Sequence, residues 1–145
     1  RRCQSETARR SEGSIGRVLA QSAAPESDPG VEAGSLLACA LRGTRADRFR
    51  LAARYPPAGA RGAFSGMLEV LERTVRDAAS IAAGAPGAVL DSGIADRMAD
   101  FECIPPARLV KAAEHVEAAR EAAAGNGNPE SIVAVLLADL AHTLR

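Results

Sequence analysis

The sequence predicts an all-α fold, a helical bundle, on three observations. Apolar residues recur at three- and four-residue spacing along most of the chain, and Gly, Pro, Asn and Thr stand where helix caps belong. No stretch alternates apolar and polar residues as a half-buried strand does. With 145 residues the chain is long enough to bury a core in one main domain, with room for a fragment of a second. It opens at Arg1 without Met, and residues 1–10 hold no signal-peptide core, so the start is expected to come from truncation of a longer protein, with processing as the alternative. No apolar run approaches the roughly 20 residues that cross a bilayer, so the expectation is a soluble protein with no membrane partner.

In chain order, residues 6–23 read as a short helix, a break at Gly13, and a second helix carrying Ile15, Val18 and Leu19. Pro25, Ser27, Asp28, Pro29 and Gly30 then break helical periodicity. A linker is expected over residues 25–33, dividing the chain into segments 1–24 and 34–145. The next helix runs through Leu36, Leu37 and Leu41 and ends at Gly43. Thr44, with Asp47 three residues on, forms a capping-box-like start for a helix carrying Phe49, Ala52 and Ala53, which stops at Pro56-Pro57. The longest helix is expected over residues 61–83, with Phe64, Met67, Leu68, Leu71, Val75, Ala78 and Ala82 on one face. Its polar flank offers Glu69–Arg73 and Glu72–Arg76 pairs at four-residue spacing.

A Gly/Pro/Ala loop over residues 84–89 precedes a short helix with Ile94, Met98 and Phe101. Pro105-Pro106 opens the penultimate helix, whose buried stripe is Leu109, Ala112, Val116, Ala119 and Ala123. The stretch 125–130 then makes a tight helical hairpin. Gly125 is expected to take the left-handed cap conformation, Asn128 to cap the last helix and Pro129 to fill its first turn. On that last helix Ile132, Val133, Leu136, Leu137, Leu140 and Leu144 form one apolar stripe.

Chemistry is sparse. Formal net charge is zero, which argues against a domain whose main task is gripping a phosphate backbone. The one basic cluster is Arg42, Arg45, Arg48, Arg50, Arg54 and Arg61, opposed nearby by Asp47. It reads as a solvated helix face or a subunit contact, with Arg42, Arg45 and Arg48 as the interface candidates. Cys3, Cys39 and Cys103 are far apart and lack C-x-x-C spacing, so neither a disulfide framework nor a zinc site is expected, and the compartment reads as intracellular and reducing. No Gly-rich phosphate loop with Lys-Ser/Thr occurs. His115 and His142 stand outside any metal-ligand constellation, and the serines lack a nucleophile elbow. The expectation is no catalytic residue, no metal and no cofactor in this chain.

Three stretches resemble one family, the bacterial DNA polymerase III clamp-loader subunits. The segment Glu12-Gly13-Ser14-Ile15-Gly16-Arg17-Val18-Leu19 looks like the opening of the last lid helix in the delta-prime type. Val75-Arg76-Asp77 resembles a Leu-Arg-Asp-like stretch on the long helix of the collar domain. Asn126-x-Asn128-Pro129 before a Leu-rich closing helix resembles the collar's terminal hairpin. The resemblance implies that residues 1–24 end an AAA+ lid domain and 34–145 form a helical collar. It implies partners too: gamma/tau and delta subunits in a hetero-oligomeric, cytoplasmic ring that loads the sliding clamp onto primed DNA, touching DNA through the complex.

By the same resemblance Gly13, Ser14, Arg76, Asp77, Asn126 and Asn128 are structural markers. Arg17 stands where ATP-hydrolysing relatives carry a phosphate sensor. Gly16 departs from their Gly-Ser-x-Arg pattern, which favours delta-prime, and an exposed Arg beside a Gly-Ser cap is the plainer reading of Arg17. The assembly is classed as a DNA-directed DNA polymerase, although its polymerase chemistry belongs to another subunit. The alternatives are a gamma/tau-type collar and an unrelated helical adaptor or effector domain.

Overall fold

The computed structural model describes residues 28–55, 61–85, 101 and 103–145. The expected 1–24 segment with Ile15, Val18 and Leu19 lies outside them, as do Gly13, Ser14, Arg17, Ile94 and Met98. The elements are α1 (Pro29–Arg42), α2 (Arg45–Ala52), α3 (Arg61–Ala82), α4 (Pro106–Ala124) and α5 (Pro129–Leu144). Among the described residues every regular element is helical, as the spacing predicts.

Local chemistry sets the ends of these helices. Asp28 accepts a hydrogen bond from Gly30 N at 2.9 Å, and Pro29 occupies the first turn of α1. The helix thus begins inside the stretch expected as linker, and Ala33 is already fully buried. Pro and Gly read as helix breakers there because their capping role depends on Asp28 standing just before them. Thr44 and Asp47 form the expected reciprocal box: Asp47 N donates to Thr44 Oγ1 at 3.2 Å and Thr44 N to Asp47 Oδ2 at 2.9 Å. The hydrogen bonds from Thr44 hold the Asp47 carboxyl below its ordinary pKa.

The α4–α5 hairpin corrects one assignment. Gly125 has φ −75°, whereas Asn126 takes the left-handed conformation at φ 62°. Asn126 N donates to Ala123 O at 3.1 Å and Gly127 N to Ala122 O at 2.9 Å, the paired bonds of a Schellman motif whose left-handed residue is Asn126. Asparagine tolerates that conformation better than most residues with a Cβ. Glycine is needed one place later, at Gly127, where a Cβ would stand 2.8 Å from Ala122 O and 3.0 Å from Ile132 Cδ1. Asn128 accepts from Glu130 N at 3.0 Å, the expected cap of α5.

Four helices close a ring, with α3 against α1 and α4, and α5 against α4 and α1; short α2 rests on α5 and α1. On α4 the small residues Ala112 and Ala119 are buried, and small side chains permit close helix contact. The core gathers Leu36, Leu37, Met67, Leu68, Leu71, Val75, Leu109, Val116 and the whole α5 stripe. Phe101 is also buried, while Tyr55 and Phe64 meet with ring centroids 5.8 Å apart. Burial pushes the Tyr55 hydroxyl up to about 12, with Glu32 adding to the shift.

One apolar assignment fails, and one aromatic ring proves exposed. Ala82 is exposed at the end of α3, where Ile81 is the partly buried residue, and Phe49 on α2 is turned to solvent. Conversely, α3 buries part of its polar flank: Glu72, Arg73, Thr74 and Asp77.

The buried stripe of α5 makes one expectation direct. Leu136→Asp places an unpaired charge in the core and should cost about 4 kcal/mol or more. Glu130→Ala, at an exposed first-turn position, should cost under about 1 kcal/mol; chemical denaturation of both variants checks the contrast. Two glycines should respond with opposite sign. Gly127→Ala should destabilise by about 1–2 kcal/mol, because Ala122 O must shift and weaken the hairpin bond. Gly66→Ala fills open space within a helix and should stabilise by roughly 0.5–1 kcal/mol. Thermal melts of the pair test this.

Candidate functional site

The expected interface residues come together where α1 hands over to α2. Arg42 is exposed in the last turn of α1, Arg45 is exposed at the start of α2, and Arg48 is half-buried one turn on. The three do not share one task. Arg48 Nη1 donates to Gly43 O at 3.0 Å, and Arg145, at the end of α5, donates from Nε to Ala40 O at 3.0 Å and from Nη2 to Gly43 O. These two guanidiniums satisfy carbonyls that the end of α1 leaves without helical partners. Arg50 pairs with Asp47 at 2.9 Å. Of the three candidates, Arg48 is therefore part of the fold, while Arg45 points to solvent beside exposed Phe49.

The marker residues on α3 face two ways. Asp77 is buried, and Arg76 is an exposed side chain whose Nη2 lies 2.7 Å from Glu72 Oε1, the expected four-residue pair. Glu72 also accepts a short hydrogen bond from Arg120 on α4, whose guanidinium reaches Glu117 at 3.1 Å and Glu69 at 3.9 Å. The surrounding carboxylates raise the Arg120 pKa despite its partial burial. This is an interhelical clamp of fixed charges. Sequence spacing exposed its intrahelical half, Glu72–Arg76. Arg120 stands 48 residues from Glu72, and no local periodicity connects them.

Across the hairpin, His115 Nε2 lies 3.1 Å from Thr143 Oγ1 and Nδ1 lies 3.8 Å from Asp139 Oδ2. A hydroxyl, an imidazole and a carboxylate in that order resemble a nucleophile relay. The Nδ1–carboxylate separation is too long for the orienting hydrogen bond such a relay needs. Thr143 also lies within α5, where the neighbouring amides are committed to the helix. The arrangement instead tethers α4 to α5. An open cavity of about 220 Å³ lies between Phe64 and Ser65 of α3 and the Asn126-Gly127-Asn128-Pro129 turn. Both expected hairpin markers, Asn126 and Asn128, line it, and no ionisable side chain does. Among the described residues no group of three His, Cys, Asp or Glu is placed to hold a metal ion, and no helix is long and apolar enough to cross a membrane.

The class these observations define is an all-helical bundle held by caps and an internal ion-pair clamp. Compared with known proteins, the chain matches no family model, no curated protein and no solved structure.

The clamp yields a measurable asymmetry. Arg120→Ala removes the interhelical partner of a buried carboxylate and should destabilise by about 2 kcal/mol. Arg76→Ala removes a mostly exposed partner and should cost less than about 1 kcal/mol. Urea unfolding of the two single variants and the double variant measures both costs and their coupling.

Proposed function

We propose that the chain is an assembly module with no catalytic centre of its own, the delta-prime-like collar region of a bacterial DNA polymerase III clamp loader. In this reading its helices hold neighbouring subunits in the ring that places the sliding clamp on primed DNA. The observation that carries the proposal is the hairpin at 125–130. The two asparagines that bear the family resemblance are the two that its geometry uses, Asn126 in the left-handed position and Asn128 as the cap of α5. Arg76 and Asp77, the other marker pair, add support from the long helix. One is exposed on an ion pair and the other is buried, so they contribute to surface and packing.

An assembly module needs a specific contact of at least about 1,000 Å², and basic side chains on its rim affect association more than folding. Of the arginine cluster, Arg42 and Arg45 are the pair to reverse, since Arg48 caps α1. The purified chain should be retained by matching gamma/tau and delta subunits. Arg42→Glu with Arg45→Glu should weaken that retention, most at low salt, while circular dichroism shows the variant still folded. Absence of retention by those subunits, with strong retention of duplex DNA at physiological salt, would transfer the chain to the helical-adaptor class.

A further inference from the structure

Helix α2 buries Ala52 against the bundle and turns its largest side chain outward: Phe49 is 65% exposed. At 100° per residue Arg45, Ala46, Phe49, Arg50 and Ala53 share that outward face. Phenyl rings and arginines are both among the side chains enriched in protein contacts. The small residues Ala46 and Ala53 leave the ring standing clear of its own helix.

The sign of charge around it chooses the partner. Arg45 and Arg54 are exposed about this corner, and the nearby carboxylate of Asp47 is engaged by Thr44 and Arg50. Nucleic acid would also answer a basic, aromatic surface, but it is gripped through a series of phosphate contacts and successive stacking platforms. Here Arg48 and Arg145 are spent on the carbonyls of α1, Arg50 on Asp47, and one aromatic ring stands on the face. The chain's own segment 1–27 fits no better, since Arg1, Arg2, Arg9, Arg10 and Arg17 outnumber Glu6, Glu12 and Glu26.

We propose that the outward face of α2 is a docking site for an acidic amphipathic polypeptide, with Phe49 entering its apolar stripe and Arg45 meeting the carboxylates along its edge. The inference rests on reading the chain as an assembly module, and it does not depend on which assembly that is.

Selection from a random-peptide display library, with the full chain as bait at about 0.15 M salt, tests it. Enriched peptides should combine aliphatic residues with Asp and Glu. Phe49→Ala and Arg45→Glu should each weaken a selected peptide by at least about tenfold. Both sites are exposed, and an acidic residue suits the first turn of a helix, so circular dichroism should show both variants folded. No enrichment, enrichment without acidic bias, or binding indifferent to Phe49→Ala overturns the proposal. So does tighter binding of single-stranded oligothymidine than of any selected peptide, or self-association through Phe49 in sedimentation. Retention by clamp-loader subunits that Phe49→Ala leaves unchanged would sink this inference alone. Acidic peptide binding without such retention would sink the clamp-loader reading alone.

Discussion

Enclosure of α3 is the constraint on which the rest depends. Residues 71–75 are buried one after another, so this helix has no solvent face through its middle turn and a half. A helix packed on several sides must bring its polar residues inside and satisfy them there. Glu72 shows how this is done. Its carboxylate is matched from within the helix by Arg76 and from α4 by Arg120, which is itself steadied by Glu117. Such a buried cluster adds little net stability compared with an apolar core. Its consequence is register: sliding α4 by one turn along α3 would strand the Glu72 carboxylate.

How far the sequence spoke depended on the range of the interaction. Signals within four residues were readable: the Thr44–Asp47 box, Asn128 with Pro129, the Glu72–Arg76 pair and the α5 stripe all lie where spacing puts them. The left-handed residue moved from Gly125 to Asn126 because α4 runs to Ala124, placing Gly125 at the cap itself. Which way Phe49 faces is not set by spacing within its own eight-residue helix. A short helix resting on one side of a bundle buries a narrow edge, and α2 uses Ala52 for it.

The candidate site divides along the same line. Composition showed an arginine cluster, but it could not separate guanidiniums that finish the fold from those exposed on the surface. That separation depends on Gly43 O and Ala40 O, carbonyls exposed by the end of α1 and reached by Arg145 from across the chain. Sequence likewise held His115, Asp139 and Thr143 without showing that the hairpin turn sets them side by side.

The seam between α1 and α5 has a consequence for how the molecule comes together and comes apart. Neighbours α4 and α5 meet through a short turn, whereas Arg145 reaches Ala40 across a separation of 105 residues. Closing so long a loop costs chain entropy before any contact repays it, so the local hairpin can form ahead of the ring. Opening runs in the reverse order. The α1 amides would then exchange with solvent through a partial unfolding that leaves the α4–α5 hairpin intact, making α1 the ring's natural latch.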